Sequence, residues 1–168
     1  LDVAQFKGGQ SNPSYMLTTP DRKYVLRRKP PGKLLPSAHA VDREYRVLTA
    51  LTNTEVPVPK TYCLCEDEDV IGTMFYVMEF LDGDIEWDPS LPNYSKANRV
   101  AVFDSMNAAM ASLHMVDYKS VGLESFGKPT DYLARQINRW TKQYKASETE
   151  TVEAMDNLMA WLPENIPP

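Results

Sequence analysis

The feature that most constrains this chain lies near its start. Gly8-Gly9 and Ser11-Asn12 sit between two strand-like runs, Val3–Phe6 and Tyr15–Thr18, and a third run, Tyr24–Arg28, ends in the cations Arg27-Arg28-Lys29. Paired glycines let a chain turn tightly and bring backbone N–H groups close to an anion with no Cβ in the way. A cation on the neighbouring strand can neutralise the same anion. Turn chemistry alone reads Gly-Gly as an ordinary hairpin. The order of loop, cationic strand and, further on, a helix-borne glutamate instead gives the layout of a nucleotide phosphate site. A Walker A reading fails, because Gly32-Lys33 is followed by Leu34 rather than Ser or Thr.

Pro30-Pro31-Gly32 and Pro36 break the chain after the third strand. A helix is expected from about Ala40 to Leu51, with Val41, Glu44, Leu48 and Leu51 on one face. A carboxylate on an apolar stripe is costly unless paired. Arg27, on the same strand face as Val25, is the natural partner; the alternative is that Glu44 lies at the stripe's edge and reaches solvent. Val56-Pro57-Val58-Pro59 cannot continue a helix, and two more strands are expected near Tyr62–Leu64 and Met74–Phe80. The second is a nearly unbroken apolar run, closed by Asp82-Gly83-Asp84. Five strands with one inserted helix make an α+β lobe over residues 1–81.

Residues 82–168 read as a hinge loop followed by helices. Ser95 can cap one that carries Val100, Phe103, Met110 and Leu113, and Leu133, Ile137, Trp140 and Tyr144 mark another. Ser147 with Glu150 offers a capping box for a third, with Val152, Met155, Met159 and Leu162, and Pro163, Pro167 and Pro168 are expected to stop it.

Composition narrows the partners. A net charge of -5 argues against nucleic acid, and the dense basic run Arg27–Lys29 with Lys33 fits a small anion. No apolar stretch reaches the roughly 18 residues of a membrane-spanning helix. Cys63 and Cys65 read as reduced thiols of a cytoplasmic protein. His39 lies in a loop and His114 at a helix end, and neither is followed by Gly-Asp. Ser125-Phe126-Gly127 lacks the aspartate of a metal-binding Asp-Phe-Gly. No residue is read as catalytic or metal-ligating.

Phe6-x-Gly8-Gly9-x-Ser11-Asn12, Tyr24-Val25-Leu26-Arg27, Asp42-Arg43-Glu44-Tyr45, Val56-Pro57-Val58-Pro59 and Phe75-Tyr76-Val77-Met78-Glu79 together resemble the aminoglycoside phosphotransferase/choline kinase family. The run from Arg27 to Pro36, and Arg135-Gln136-Ile137 with Trp140 and Gln143-Tyr144, are similar to the branch whose phosphotransferase domain precedes an acyl-CoA dehydrogenase in some animal proteins. The resemblance implies a protein-kinase-like N-terminal lobe, a five-stranded antiparallel sheet plus one helix. The first helices of a helical C-terminal lobe would follow, in a chain that is truncated.

The same resemblance implies roles. Gly8, Gly9, Ser11 and Asn12 would form a flap over the phosphates of ATP. Arg27 would replace the phosphate-binding lysine, with Glu44 as its partner. Val25 would roof the adenine, Met78 would take the gatekeeper position, and the Glu79 carbonyl and Leu81 N–H would meet the adenine edge. The family's His-Gly-Asp loop does not occur in the sequence, so the catalytic residues and the Mg²⁺ ligands are expected beyond Pro168, in a missing C-terminal lobe.

The implied function is the N-terminal part of an ATP-dependent kinase that transfers the γ-phosphoryl group to a substrate hydroxyl, the fragment alone being inactive. The acceptor would be a hydroxyacyl thioester or an aminoglycoside-like molecule. The alternative is a non-catalytic nucleotide-binding or interaction module. Where relatives tend to read Gly-Arg-Ile-Phe-Trp-Asp-Pro, this chain has Gly83-Asp84-Ile85-Glu86-Trp87-Asp88-Pro89. That puts two acids at the cleft edge, unless the loop is simply solvated.

Overall fold

The structure is a computed structural model that describes residues 1–7, 12–32, 39–128 and 130–167. Five short strands, β1 (Asp2–Gln5), β2 (Ser14–Thr18), β3 (Lys23–Arg28), β4 (Thr61–Cys65) and β5 (Phe75–Glu79), form one sheet in the order β1-β2-β3-β5-β4. Every neighbouring pair is antiparallel. Each strand falls where the β-prone runs place it. The β2–β3 turn is closed by Thr19: its N–H donates to the Arg22 carbonyl at 2.8 Å, and its hydroxyl accepts the Arg22 N–H at 3.0 Å.

The register decides what shares a face. Ser14 lies opposite Arg27, Arg27 opposite Tyr76, and Tyr76 opposite Leu64, so these four form one row across the sheet. Met16, Val25 and Met78 form the next row on the same face, because side chains two apart along a strand point the same way.

Helix α1 (Val41–Leu51) follows β3 and packs against β4 and β5. Its ends, Val41 and Leu51, are buried, and with Val25 and Tyr76 they make the core under this face. Tyr45 meets the Tyr76 ring edge-on, with centroids 6.0 Å apart. The Thr49 and Thr61 hydroxyls are bonded at 2.7 Å, tying the helix to β4.

Helix α2 (Lys96–His114) starts as expected: the Ser95 hydroxyl accepts the Asn98 N–H at 3.1 Å. Its apolar stripe, however, is not a core, and Phe103, Met106 and Met110 are about half exposed. By compactness the chain divides into residues 1–124, which include α2, and 125–168.

The second unit holds α3 (Tyr132–Ser147) and α4 (Glu153–Glu164), which pack on each other. One expectation fails here. Ser147 does not cap the last helix; it ends α3, and its hydroxyl donates back to the Gln143 and Tyr144 carbonyls. That hydroxyl is therefore spent, and α4 begins at Glu153 after Val152 with no side-chain cap. Of the prolines expected to stop α4, Pro163 lies inside its last turn, one residue before the end at Glu164, and Pro167 lies beyond it. A proline near a helix C-terminus loses one hydrogen bond in a turn that is already fraying. Among the described residues no helix is long and apolar enough to cross a membrane.

Candidate functional site

The centre of the site is the Glu44 carboxylate, one turn into α1. Arg27 reaches it side-on, with Nε donating to Oε2 at 2.6 Å and a terminal nitrogen to Oε1 at 3.4 Å. The Tyr76 hydroxyl donates to Oε2 at 3.1 Å, and the Asn12 amide donates to Oε1 at 2.8 Å. Each carboxylate oxygen thus accepts two donors, which uses about all of its lone-pair capacity. The ion pair is neither sealed nor fully wet, the two side chains being 32% and 34% exposed. Tyr76, at 2%, and Asn12, at 7%, wall it in. Of the two readings of Glu44, the paired one holds.

Arg27 is further fixed by Ser14, whose hydroxyl accepts from its other terminal nitrogen at 3.2 Å. The planar guanidinium offers its N–H groups in a rigid fork. Glu44 takes the edge formed by Nε and one terminal nitrogen. Of the two terminal nitrogens, one is shared with Glu44 and the other with Ser14, and each carries a second N–H that a phosphate or carboxylate could take.

Asn12 is held from its far side as well. Its Oδ1 lies 3.0 Å from His39 Nδ1, and since its amide nitrogen faces Glu44, that imidazole nitrogen is the donor. His39 has a positive φ of 58°, uncommon for a residue other than glycine. The stem of the glycine loop, the start of α1 and β3 therefore meet on one carboxylate. Burial first, then the charge and hydrogen bond of Glu44, push the Tyr76 phenol well above its usual range, with Arg27 opposing. Tyr76 stays a donor.

The expected residues divide into those the fold brings together and those it does not. Asn12, Arg27 and Glu44 converge as described. Val25 and Met78 are neighbours in register on the same sheet face; Val25 is buried and Met78 half-buried. Glu79 points to the opposite face by strand alternation, and its Oε2 accepts the Lys60 N–H at 3.1 Å. Leu81 lies just past β5 and is exposed. Gly8, Gly9 and Ser11 lie outside the described residues. Among those described, no group of three or more His, Cys, Asp or Glu side chains is arranged to hold a metal ion.

Tyr76, Ser14 and His39 were not anticipated. Tyr76 was legible in part, because it lies two residues before Met78 on a buried strand and a buried phenol needs a partner. Ser14 and His39 carry no comparable signal.

A model of the phosphotransferase enzyme family matches residues 2–168. The chain belongs to this family. A structure from Ralstonia eutropha, provisionally assigned as an aminoglycoside phosphotransferase, is 55% identical with a TM-score of 0.81, and the match covers 99% of this chain and 48% of that one. The mouse protein named acyl-CoA dehydrogenase family member 10 is 49% identical over 167 residues, 99% of this chain but 16% of its own length. The chain thus spans about a sixth of that curated relative.

The kinase-like fold extends to more distant phosphotransferases. An aminoglycoside phosphotransferase, APH(4)-Ia, solved with AMP-PNP and hygromycin B, superposes with a TM-score of 0.65 at 17% identity, over 99% of this chain and 56% of that one. The five-stranded antiparallel sheet with its helices matches the kinase-like fold of these phosphotransferases.

Proposed function

We propose that this chain is the nucleotide-binding part of an ATP-dependent small-molecule kinase, with residues 1–81 as the nucleotide lobe and 82–168 as the hinge and first helices of the second lobe. The carrying observation is Arg27: Glu44 takes one edge of its guanidinium and Ser14 one N–H of the remaining terminal nitrogen, which leaves one N–H on each terminal nitrogen for an anion. On the same sheet face Val25 and Met78 offer an apolar surface for an adenine ring. The backbone from Glu79 to Leu81 would meet its polar edge, and the loop holding Gly8, Gly9 and Ser11 would cover the phosphates. Asn12 would steady that loop, its amide being engaged with Glu44.

ATP would supply the γ-phosphoryl group, transferred to a hydroxyl. This chain's own part is to hold the α- and β-phosphates, which is positioning and charge neutralisation rather than bond-making. The catalytic base and the Mg²⁺ ligands are assigned to sequence outside these 168 residues, as no His-Gly-Asp occurs within them. A cytoplasmic location fits the two free cysteines. The acceptor proposed is a hydroxyacyl thioester, because the matching region of the mouse relative is part of a protein named for acyl-CoA chemistry. An aminoglycoside is the competing acceptor, from the name and bound ligand of the distant solved structure.

Arg27→Ala should weaken ATP binding to the full-length protein by about 1.5–3 kcal/mol, the range for hydrogen bonds to charged groups. Calorimetric titration measures it, and an unchanged affinity would sink the assignment. ATP turnover should rise with a hydroxyacyl-CoA and not with hygromycin B; the reverse result would move the acceptor class.

A further inference from the structure

We infer that Tyr76 is a positioning residue for Arg27, acting through Glu44: its buried hydroxyl fixes the carboxylate oxygen that receives Arg27 Nε, and so sets where the guanidinium's open edge points. The inference rests on the reading of Arg27 as a phosphate ligand.

Three observations carry it. Arg27 and Tyr76 are directly opposite in the β3–β5 register, so the sheet itself places both side chains on the same face. Both donate to the same atom, Glu44 Oε2, at 2.6 and 3.1 Å. Tyr76 is also the better anchored of the two, 2% exposed against 32% for the Arg27 side chain. A carboxylate on a glutamate has three rotatable bonds before it, and Arg27 alone cannot hold it, because Arg27 is the group to be aligned. The Tyr76 ring is pinned by its strand and by the Tyr45 edge contact. A rigid donor therefore locates Glu44, and Glu44 locates a longer, more mobile cation. Asn12 supplies a second donor to Glu44, but it adjoins the loop proposed to cover the phosphates, so its replacement would act in two ways. Tyr76 is the cleaner probe.

The test uses the full-length protein with ATP and adenosine as probes. Tyr76→Phe removes one oxygen and keeps the ring. It should weaken ATP about three- to tenfold, the effect of one hydrogen bond, and leave adenosine affinity unchanged, since adenosine has no phosphate for Arg27. In a Glu44→Gln background the same substitution should cost no more than twofold, because the group it acts through is already altered. Tyr76→Met, smaller and without the ring but likewise lacking the hydroxyl, should repeat the ATP-selective loss and guards against a folding defect peculiar to one variant.

Equal weakening of ATP and adenosine would overturn the inference in favour of plain core packing. So would an undiminished loss in the Glu44→Gln background, or no loss at all. If Arg27→Ala weakens ATP while Tyr76→Phe does not, only the positioning role falls. If Arg27→Ala has no effect, the nucleotide reading falls and this inference falls with it.

Discussion

Arg27 meets Glu44 at 2.6 Å, and Lys145 meets Asp156 at the same distance, yet the two ion pairs sit in different physical settings. The first joins β3 to α1 and is walled by Tyr76 and Asn12, both buried. The second joins α3 to α4, two exposed helices that bury no residue, and its lysine also reaches Glu148 at 3.3 Å. Equal distances do not mean equal energies. A pair in water gains little, since solvent screens it and ordering two long side chains costs entropy. A pair whose carboxylate also serves buried polar groups cannot lose that carboxylate without leaving those groups unsatisfied. The cluster at Glu44 therefore specifies geometry, while the one at Lys145 trims a surface.

The widest separation of the two should come from deleting each carboxylate or cation in turn. Glu44→Ala strands the Tyr76 hydroxyl and Asn12 amide and should cost about 2–3 kcal/mol of stability, the penalty for buried groups left without partners. Denaturant unfolding measures it, and a loss below about 0.5 kcal/mol, the level of an ordinary surface change, would place Glu44 with the surface pairs.

Alkaline titration sharpens the same contrast. The Tyr76 phenol is raised from 10.0, so the unfolded chain gives up that proton first, and the stability it lends is full below about pH 10 and lost as the pH climbs. Lys145 is raised from 10.5, by its bond to Asp156 first and to Glu148 second, and loses its contribution in the same direction. Tyr76→Phe should visibly flatten the decline of the unfolding midpoint above pH 10, and Lys145→Met should leave it nearly as steep. Equal flattening by both would erase the distinction.

The smallest effect is expected for Lys145→Met at neutral pH. It should loosen α3 against α4, seen as faster amide exchange in both helices, with exchange in β3 and β5 unchanged. Slower or unaltered exchange in α3 and α4 would show that the apolar contacts between the helices, not the lysine, hold them.

Much of this was readable along the chain, for reasons particular to each element. The β2–β3 hairpin is announced by Thr19-Pro20-Asp21, α1 by its apolar spacing, and α2 by Ser95, because these signals act between residues a few positions apart. The start of α4 was misread for the same reason: Ser147 has the chemistry of a cap, but as the last residue of α3 it bonds backward. Arg27 and Glu44 could be paired in advance because a glutamate on an apolar stripe asks for a cation. Nothing comparable pointed to Ser14 or His39.

The sequence by itself placed the five strands, α1 and α2, and raised the pairing of one strand cation with one helix carboxylate as one of two readings. Only the tertiary structure decided that Tyr76, 32 residues from Glu44, shares the oxygen on which Arg27 rests, and that Asn12 closes the other side. Periodicity fixes the face a side chain takes on its own element. Which faces then meet depends on the β3–β5 register and on how α1 lies across the sheet, and those are set by the packing of the whole lobe.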